Sequence, residues 1–152
     1  MAGEVSDRPA ITVKQVKTVA EYEAIRAVRL RVFIQEQQVP ADEEYDDLDA
    51  TAFHAIALVG GKPAATGRLV PHDEPGVARI GRMAVDREWR RLGVGGEVLR
   101  FLEGAARAQG YRQALLHAQA YVQAFYAAHG YQPEGDHFYE AGIEHVTMTK
   151  AL

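Results

Sequence analysis

The residues that most invite chemistry lie between Val85 and Glu97 and read V-D-R-E-W-R-R-L-G-V-G-G-E. An apolar, strand-like run ends there and a helix-like run begins. At such a junction the first helical N–H groups have no partner, and the positive end of the helix dipole lies behind them. Together they form a site for an anion such as a phosphate. An oxyanion can approach the backbone only where no side chain blocks it, and Gly93, Gly95 and Gly96 supply that access. Arg90 and Arg91 add fixed positive charge. Two familiar phosphate loops are excluded by spacing. The dinucleotide pattern G-x-G-x-x-G fails because Val98 stands where the third glycine belongs, and the Walker pattern fails because Gly61-Lys62 is followed by Pro63. What remains is Arg90-x-x-Gly93-x-Gly95. On spacing alone it stays open between an anion loop and a helix start with an incidental glycine cluster.

The rest of the composition narrows the chemistry. The chain has 152 residues, 47% of them hydrophobic and 25% charged, as in one ordinary globular domain. Seventeen basic and 21 acidic residues give a net charge of −4, which argues against a general nucleic-acid binder. There is no cysteine, so disulfides, Cys-zinc sites and thiol catalysis are excluded. Residues 1–10 are polar and no long apolar run exists, so neither a signal peptide nor a membrane span is expected, and the default compartment is the cytoplasm. His72-Asp73-Glu74 could suggest a metal, but three consecutive residues make a poor ligand set, and no metal is expected.

The charge is uneven. Glu36 to Asp49 holds seven acids and no Lys or Arg, whereas Arg79 to Arg112 holds eight arginines and four acids. The acidic segment reads either as a field that attracts a cationic amine or as a solvated face.

The elements that must position these residues follow from periodicity. Residues 1–9 are expected to be a flexible tail and 10–152 a single domain. A short strand is expected at 10–16. Thr18 and Glu21 form a capping box for a helix reaching about Phe33 and broken before Pro40. The acidic segment follows as a loop or short helix. Strands at 53–59, 64–70 and 77–85 make an antiparallel meander, with Gly60-Gly61 in the first turn. Val94, Val98, Phe101, Leu102, Ala105 and Ala106 share one face of an amphipathic helix stopped by Gly110. Glu97–Arg100 and Glu103–Arg107 are expected to pair on its exposed face. A buried strand at 114–118, a helix at 120–129 closed by Gly130, and a last strand at 144–150 complete the chain. The order mixes a meander with a βα crossover and predicts an α/β mixed sheet flanked by helices.

The glycine loop resembles the acetyl-coenzyme-A signature (Gln/Arg-x-x-Gly-x-Gly/Ala) of the GNAT superfamily of N-acetyltransferases, and the element order matches that family's fold. Residues 119–131, Q-A-Y-V-Q-A-F-Y-A-A-H-G-Y, resemble its later segment. V-F-I-Q-E-Q at 32–37, E-Y-D-D-L-D at 44–49 and E-A-G-I-E-H-V-T-M at 140–148 resemble the ElaA-like and YjcF-like bacterial branch. The resemblance implies a mostly antiparallel sheet with one splayed strand pair. It also implies acetyl-coenzyme A as co-substrate, with Arg90, Arg91, Leu92, Gly93, Val94, Gly95 and Gly96 around the pyrophosphate. The strand residues Met83, Ala84 and Val85 would lie along the pantetheine arm and polarise the thioester. Gln119 would contact the same ligand, and Tyr126 would protonate the departing thiolate.

The implied reaction is direct acetyl transfer to a primary amine of a small acceptor. A non-catalytic acyl-coenzyme-A binder is the alternative. Such a transfer needs a neutral nucleophile, a stabilised oxyanion and a proton for the thiolate; a phenol with an ordinary pKa of about 10 can supply that proton. The general base is unassigned. The strand at 78–85 carries no acid, which leaves bulk water or one of Glu36, Glu44, Asp46, His117 and His145, with Glu36 and Glu44 foremost. Trp89 is expected to pack at the strand–helix junction, with contact to the adenine of the ligand as the alternative. Dimers are frequent in the resembled superfamily, so a homodimer is an open arrangement.

Overall fold

In the computed structural model, residues 10–152 are described; the tail expected over residues 1–9 lies outside them. One seven-stranded sheet runs in the order β1-β2-β3-β4-β5-β7-β6. The strands are β1 (Ile11–Gln15), β2 (Phe53–Val59), β3 (Lys62–Pro71), β4 (Val77–Val85), β5 (Gln113–Gln119), β6 (Gln132–Glu140) and β7 (Ile143–Ala151). All neighbours are antiparallel except β4 and β5. The helices are α1 (Val19–Arg29), α2 (Ala41–Glu44), α3 (Val94–Ala108) and α4 (Gln123–Ala128). No helix among the described residues is long and apolar enough to cross a membrane.

The meander appears as expected. β3 is buried from Ala64 to Val70 without alternation, because α1 and α3 both pack on it. α3 presents Val94, Val98, Leu99, Leu102 and Ala106 to the larger core. A smaller core joins Val28, Val32, Phe33, Val39 and Ala84. α1 begins with the capping box: Glu21 N–H donates to Thr18 Oγ1 at 3.1 Å and Thr18 N–H donates to Glu21 Oε1 at 3.1 Å. The helix does not end near Phe33. It widens into a π-helical stretch, Leu30–Glu36, closed by Gln37 N–H on the Val32 carbonyl at 3.0 Å.

Two expectations need correction. The exposed Glu103–Arg107 pair does not form. Glu103 is buried, accepting from the Tyr131 hydroxyl at 2.8 Å and from Lys150 Nζ at 3.0 Å, whereas Glu97 and Arg100 do pair at 2.9 Å. A spacing of four residues fixes adjacency but not which face of the helix meets the sheet. The chain after Tyr131 also holds a full further strand, β6, which forms a hairpin with β7 through Ala141 and Gly142, both at positive φ.

The acidic segment is a solvated face only in part: Asp42, Glu43 and Asp47 are exposed. α2 and a 3₁₀ turn at Asp47–Ala50 fold the carboxylates of Glu44, Asp46 and Asp49 onto arginines from three elements. Arg29 of α1 donates to Glu44 at 2.6 Å and to Asp49 at 2.9 Å. Arg68 of β3 donates to Asp46 at 2.7 Å and to Asp49 at 2.8 Å. Arg82 of β4 lies 3.3 Å from both Asp46 and Glu44. Three guanidinium groups thus balance three carboxylates. Buried charges persist only when paired in this way.

Candidate functional site

The site begins at a seam. β4 and β5 are the one parallel pair, and they touch only where Val77, Ala78 and Arg79 meet Gln113, Ala114 and Leu115. Beyond Arg79 the two strands diverge. A bulge in β4 marks the change, where register with β3 shifts between Thr66–Ala84 and Arg68–Gly81. Arg82 takes φ +51° there. Gly67 faces the bulge, and a Cβ on it would lie 2.7 Å from Met83 Sδ and 2.8 Å from Leu102 Cδ1. An absent side chain on β3 therefore lets the bulge seat.

The widening gap is a cavity of about 870 Å³. Met83, Ala84 and Val85 line one side, Gln119 and Tyr126 the other, and Arg90, Arg91 and Gly93–Gly96 the mouth. Sequence reasoning named all of these. Leu92 is the exception: it is exposed and does not line the cavity.

The mouth has the expected form. After β4 a 3₁₀ turn, Arg87–Trp89, leads into the loop, and α3 starts at Val94. Arg91 and Gly93 both take positive φ, +67° and +82°. No side chain caps α3, so its first amides point along the axis unpaired by the helix. Nothing lies within 4 Å of the Cβ position at Gly93, which leaves the approach clear. Arg90 is already engaged. It donates to the Val85 carbonyl at 2.9 Å and, in fork geometry, to Glu36 at 2.7 and 2.8 Å. That bond lowers the Glu36 carboxyl and raises the Arg90 guanidinium.

Tyr126 sits in the cavity wall, buried, with its ring edge-on to Phe125 at 5.0 Å and to Tyr131 at 6.0 Å. Burial pushes its phenol up, so the hydroxyl keeps its proton. Among the described residues nothing hydrogen-bonds that hydroxyl. Gln119 donates to Gln37 at 2.9 Å, and Gln37 lies 3.3 Å from the Tyr121 hydroxyl, so the end of the π-helical stretch reaches across the gap.

The expected bases are placed differently from one another. Glu36 is held by Arg90 outside the cavity lining. Glu44 lines the cavity, and burial pushes its carboxyl up against the opposing pull of Arg29 and Arg82. Asp46 is drawn down to about 2, chiefly by the bond from Arg68. His117 Nδ1 lies between Arg79 at 3.0 Å and Glu140 at 3.1 Å. His145 is buried in the lining with Nδ1 2.7 Å from the Ile143 carbonyl. Arg79, Glu140 and Gln37 are cavity residues that sequence reasoning missed as site residues; nothing in their spacing marks them, because the seam and the π-helical stretch bring them together. Trp89 packs against the larger core as expected and also edges the cavity. His54 is structural, with Nε2 2.8 Å from the Asp49 carbonyl. Among the described residues no three His, Asp or Glu side chains group as metal ligands.

Comparison with known proteins gives this geometry its setting. Residues 14–152 match the family model described as Acetyltransferase (GNAT) domain. The uncharacterized N-acetyltransferase YjcF of Bacillus subtilis is 39% identical over 81% of this chain and 87% of its own. Among solved structures, an acyl-CoA N-acyltransferase from Pseudomonas aeruginosa is 30% identical, covers 94% of this chain and 99% of its own, and superposes with a TM-score of 0.79. Escherichia coli ElaA shares the fold with a TM-score of 0.80 at 24% identity, over 93% of this chain and 99% of its own.

Proposed function

The chain belongs to the GNAT acetyltransferase family, and on that premise we propose that it moves an acetyl group from acetyl-coenzyme A to a primary amine by direct attack in a ternary complex. One observation carries the reading. A single cavity joins the uncapped start of α3, the splayed edge of β4 and the side chain of Tyr126. The amides at Val94, Gly95 and Gly96, with Arg91 beside them, suit a pyrophosphate. The β4 edge beyond Arg79 offers backbone groups to an extended amide-bearing arm, as an added strand would use them. Its amides also suit the oxyanion that forms when an amine attacks a thioester. Tyr126, whose burial keeps it protonated, is the donor for the departing thiolate.

The acceptor is an amine, and of the acidic segment Glu43 alone lines the cavity with no arginine on its carboxylate among the described residues. Glu36, Glu44, Asp46 and Asp49 are all spent on arginines. The same engagement of Glu36 and Glu44 favours a second reading, an acyl-coenzyme-A binder without turnover. Every group in either reading comes from one chain.

The test has two stages. Coenzyme A is expected to raise the melting temperature of the wild type and not that of Gly93→Glu, in which a side chain at φ +82° and a negative charge close the mouth. An equal shift in both proteins removes the loop from the reading. Thiol release from acetyl-coenzyme A with a panel of primary amines then separates the readings: turnover supports the transferase, and binding without turnover supports the second.

A further inference from the structure

The transfer needs a group to take the proton that the attacking amine sheds, and the two foremost carboxylates are occupied. Glu44 is gripped by Arg29 and Arg82, and Glu36 by Arg90. We propose that His145, resting on the acetyltransferase reading above, is that general base, acting through Nε2.

The ring's geometry makes the case. Its Nδ1 lies 2.7 Å from the Ile143 carbonyl. A carbonyl oxygen only accepts, so Nδ1 carries the hydrogen and the neutral ring has its lone pair on Nε2. No group among the described residues bonds Nε2. Among the described residues, no buried side-chain nitrogen or oxygen lacks a partner; Nε2 is therefore not sealed inside protein, and His145 is one of the residues lining the cavity. The residue as a whole is only 7% exposed. The ring is stacked on Phe138 of β6 at 5.9 Å, and His145 sits directly opposite Gln119 of β5 in the sheet. A fixed tautomer, a fixed ring plane and an unpartnered lone pair on a ring in the cavity wall are what a general base needs.

The charged neighbours on each packed element agree. On β6, Glu140 is held down to about 2, first by His117 and then by Arg79 and His145 itself. It therefore stays anionic. His117 on β5 and Arg79 on β4 stand on its far side. Glu43 and Glu44 of α2 and Tyr126 of α4 complete the wall. Glu144, next in sequence, turns away to His137 at 2.9 Å. His117 is the rival, but its Nδ1 is contested by a donor and an acceptor at once, and neither contact fixes its tautomer.

The step balances. The amine nitrogen bonds to the acetyl carbon, and its surplus proton passes to His145 Nε2. As the carbon–sulfur bond breaks, Tyr126 gives its hydroxyl proton to the sulfur. The imidazolium and the phenolate then reset by exchange with water.

The test uses the full chain with acetyl-coenzyme A and ethanolamine, benzylamine or glycinamide as acceptors. In His145→Asn the side-chain amide can still donate to the Ile143 carbonyl, and the Nε2 lone pair is gone. We expect kcat/KM near neutral pH to fall by about a hundredfold. The acid limb of its pH profile should vanish, and added imidazole should restore part of the rate. Coenzyme A affinity and melting temperature should stay close to wild type. His145→Gln provides a second variant should the first fold poorly, and His117→Gln should keep the acid limb. An unchanged rate and acid limb in both His145 variants overturns the base. So does a loss of coenzyme A affinity that parallels the rate in both, or loss of the limb in His117→Gln instead. Wild type that turns over no amine overturns the transferase reading along with it, which separates the two failures.

Discussion

A phenol buried in an apolar wall holds its proton until a stronger base forms beside it, and Tyr126 occupies such a wall. A thiolate leaving the cavity is such a base. Tyr126→Phe keeps the ring and its edge-on contacts with Phe125 and Tyr131, so it tests the hydroxyl alone. Turnover is expected to fall by about a hundredfold with coenzyme A affinity unchanged, read by thiol release and by titration. A variant with full turnover strikes the hydroxyl from the mechanism. Single residues were the least legible part of the sequence. The glycine loop announced itself because a strand end, a helix start and glycines coincide. Tyr126 gained a role only through the resemblance, since one aromatic on a helix is more often core. Arg29 gave no signal at all: it falls on the buried stripe of α1 beside Val28, where a charge reads as an interruption. Only the fold shows that Glu44 and Asp49 meet it there.

Elements with a strong period were legible almost to their ends. β2 and β4 match the expected runs, because apolar residues bounded by turn residues leave one reading. β6 was not recovered, since it is almost wholly exposed and its residues, Q-P-E-G-D-H-F-Y-E, show no alternation. Its turn, Ala141-Gly142, also lacks the Asn-Gly or Asp-Gly signal of tight hairpins. The π-helical stretch was equally silent, because spacing beyond Ile25 and Val28 fits an ordinary helix for one more turn. The bulge of β4 yields a prediction at this scale. Gly67→Val forces a branched side chain against Met83, Leu102 and Val98. Overpacking of this kind costs about 1–3 kcal/mol, measurable by urea denaturation. Coenzyme A affinity should fall as well, because Met83 lines the cavity. Wild-type stability in this variant would mean the bulge does not depend on that close approach.

At the scale of the whole molecule, the balanced cluster of arginines and carboxylates ties α1, α2, β3 and β4 together around one side of the cavity. Its pH dependence has a definite sign. Asp46 is held down to about 2 in the fold, below the ordinary value near 4 for a free aspartate. A carboxyl lowered on folding stabilises above its unfolded value, and that stability is lost as pH falls from about 4 towards 2. The melting temperature is therefore expected to drop across that window. Asp46→Asn should start lower at pH 5 and fall less steeply. Identical slopes in the two proteins would exclude Asp46 as a source of the acid sensitivity. The seam has a consequence of another kind. The two parts of the sheet are zipped by only three residue pairs, and the backbone of β4 past Arg79 has no rung on its β5 side. Amide hydrogens on that bare flank exchange with solvent deuterium at a rate set by whatever runs along it. A chain laid there slows them position by position. The protein thus carries its own occupancy gauge, legible in an exchange map before the acceptor has been identified.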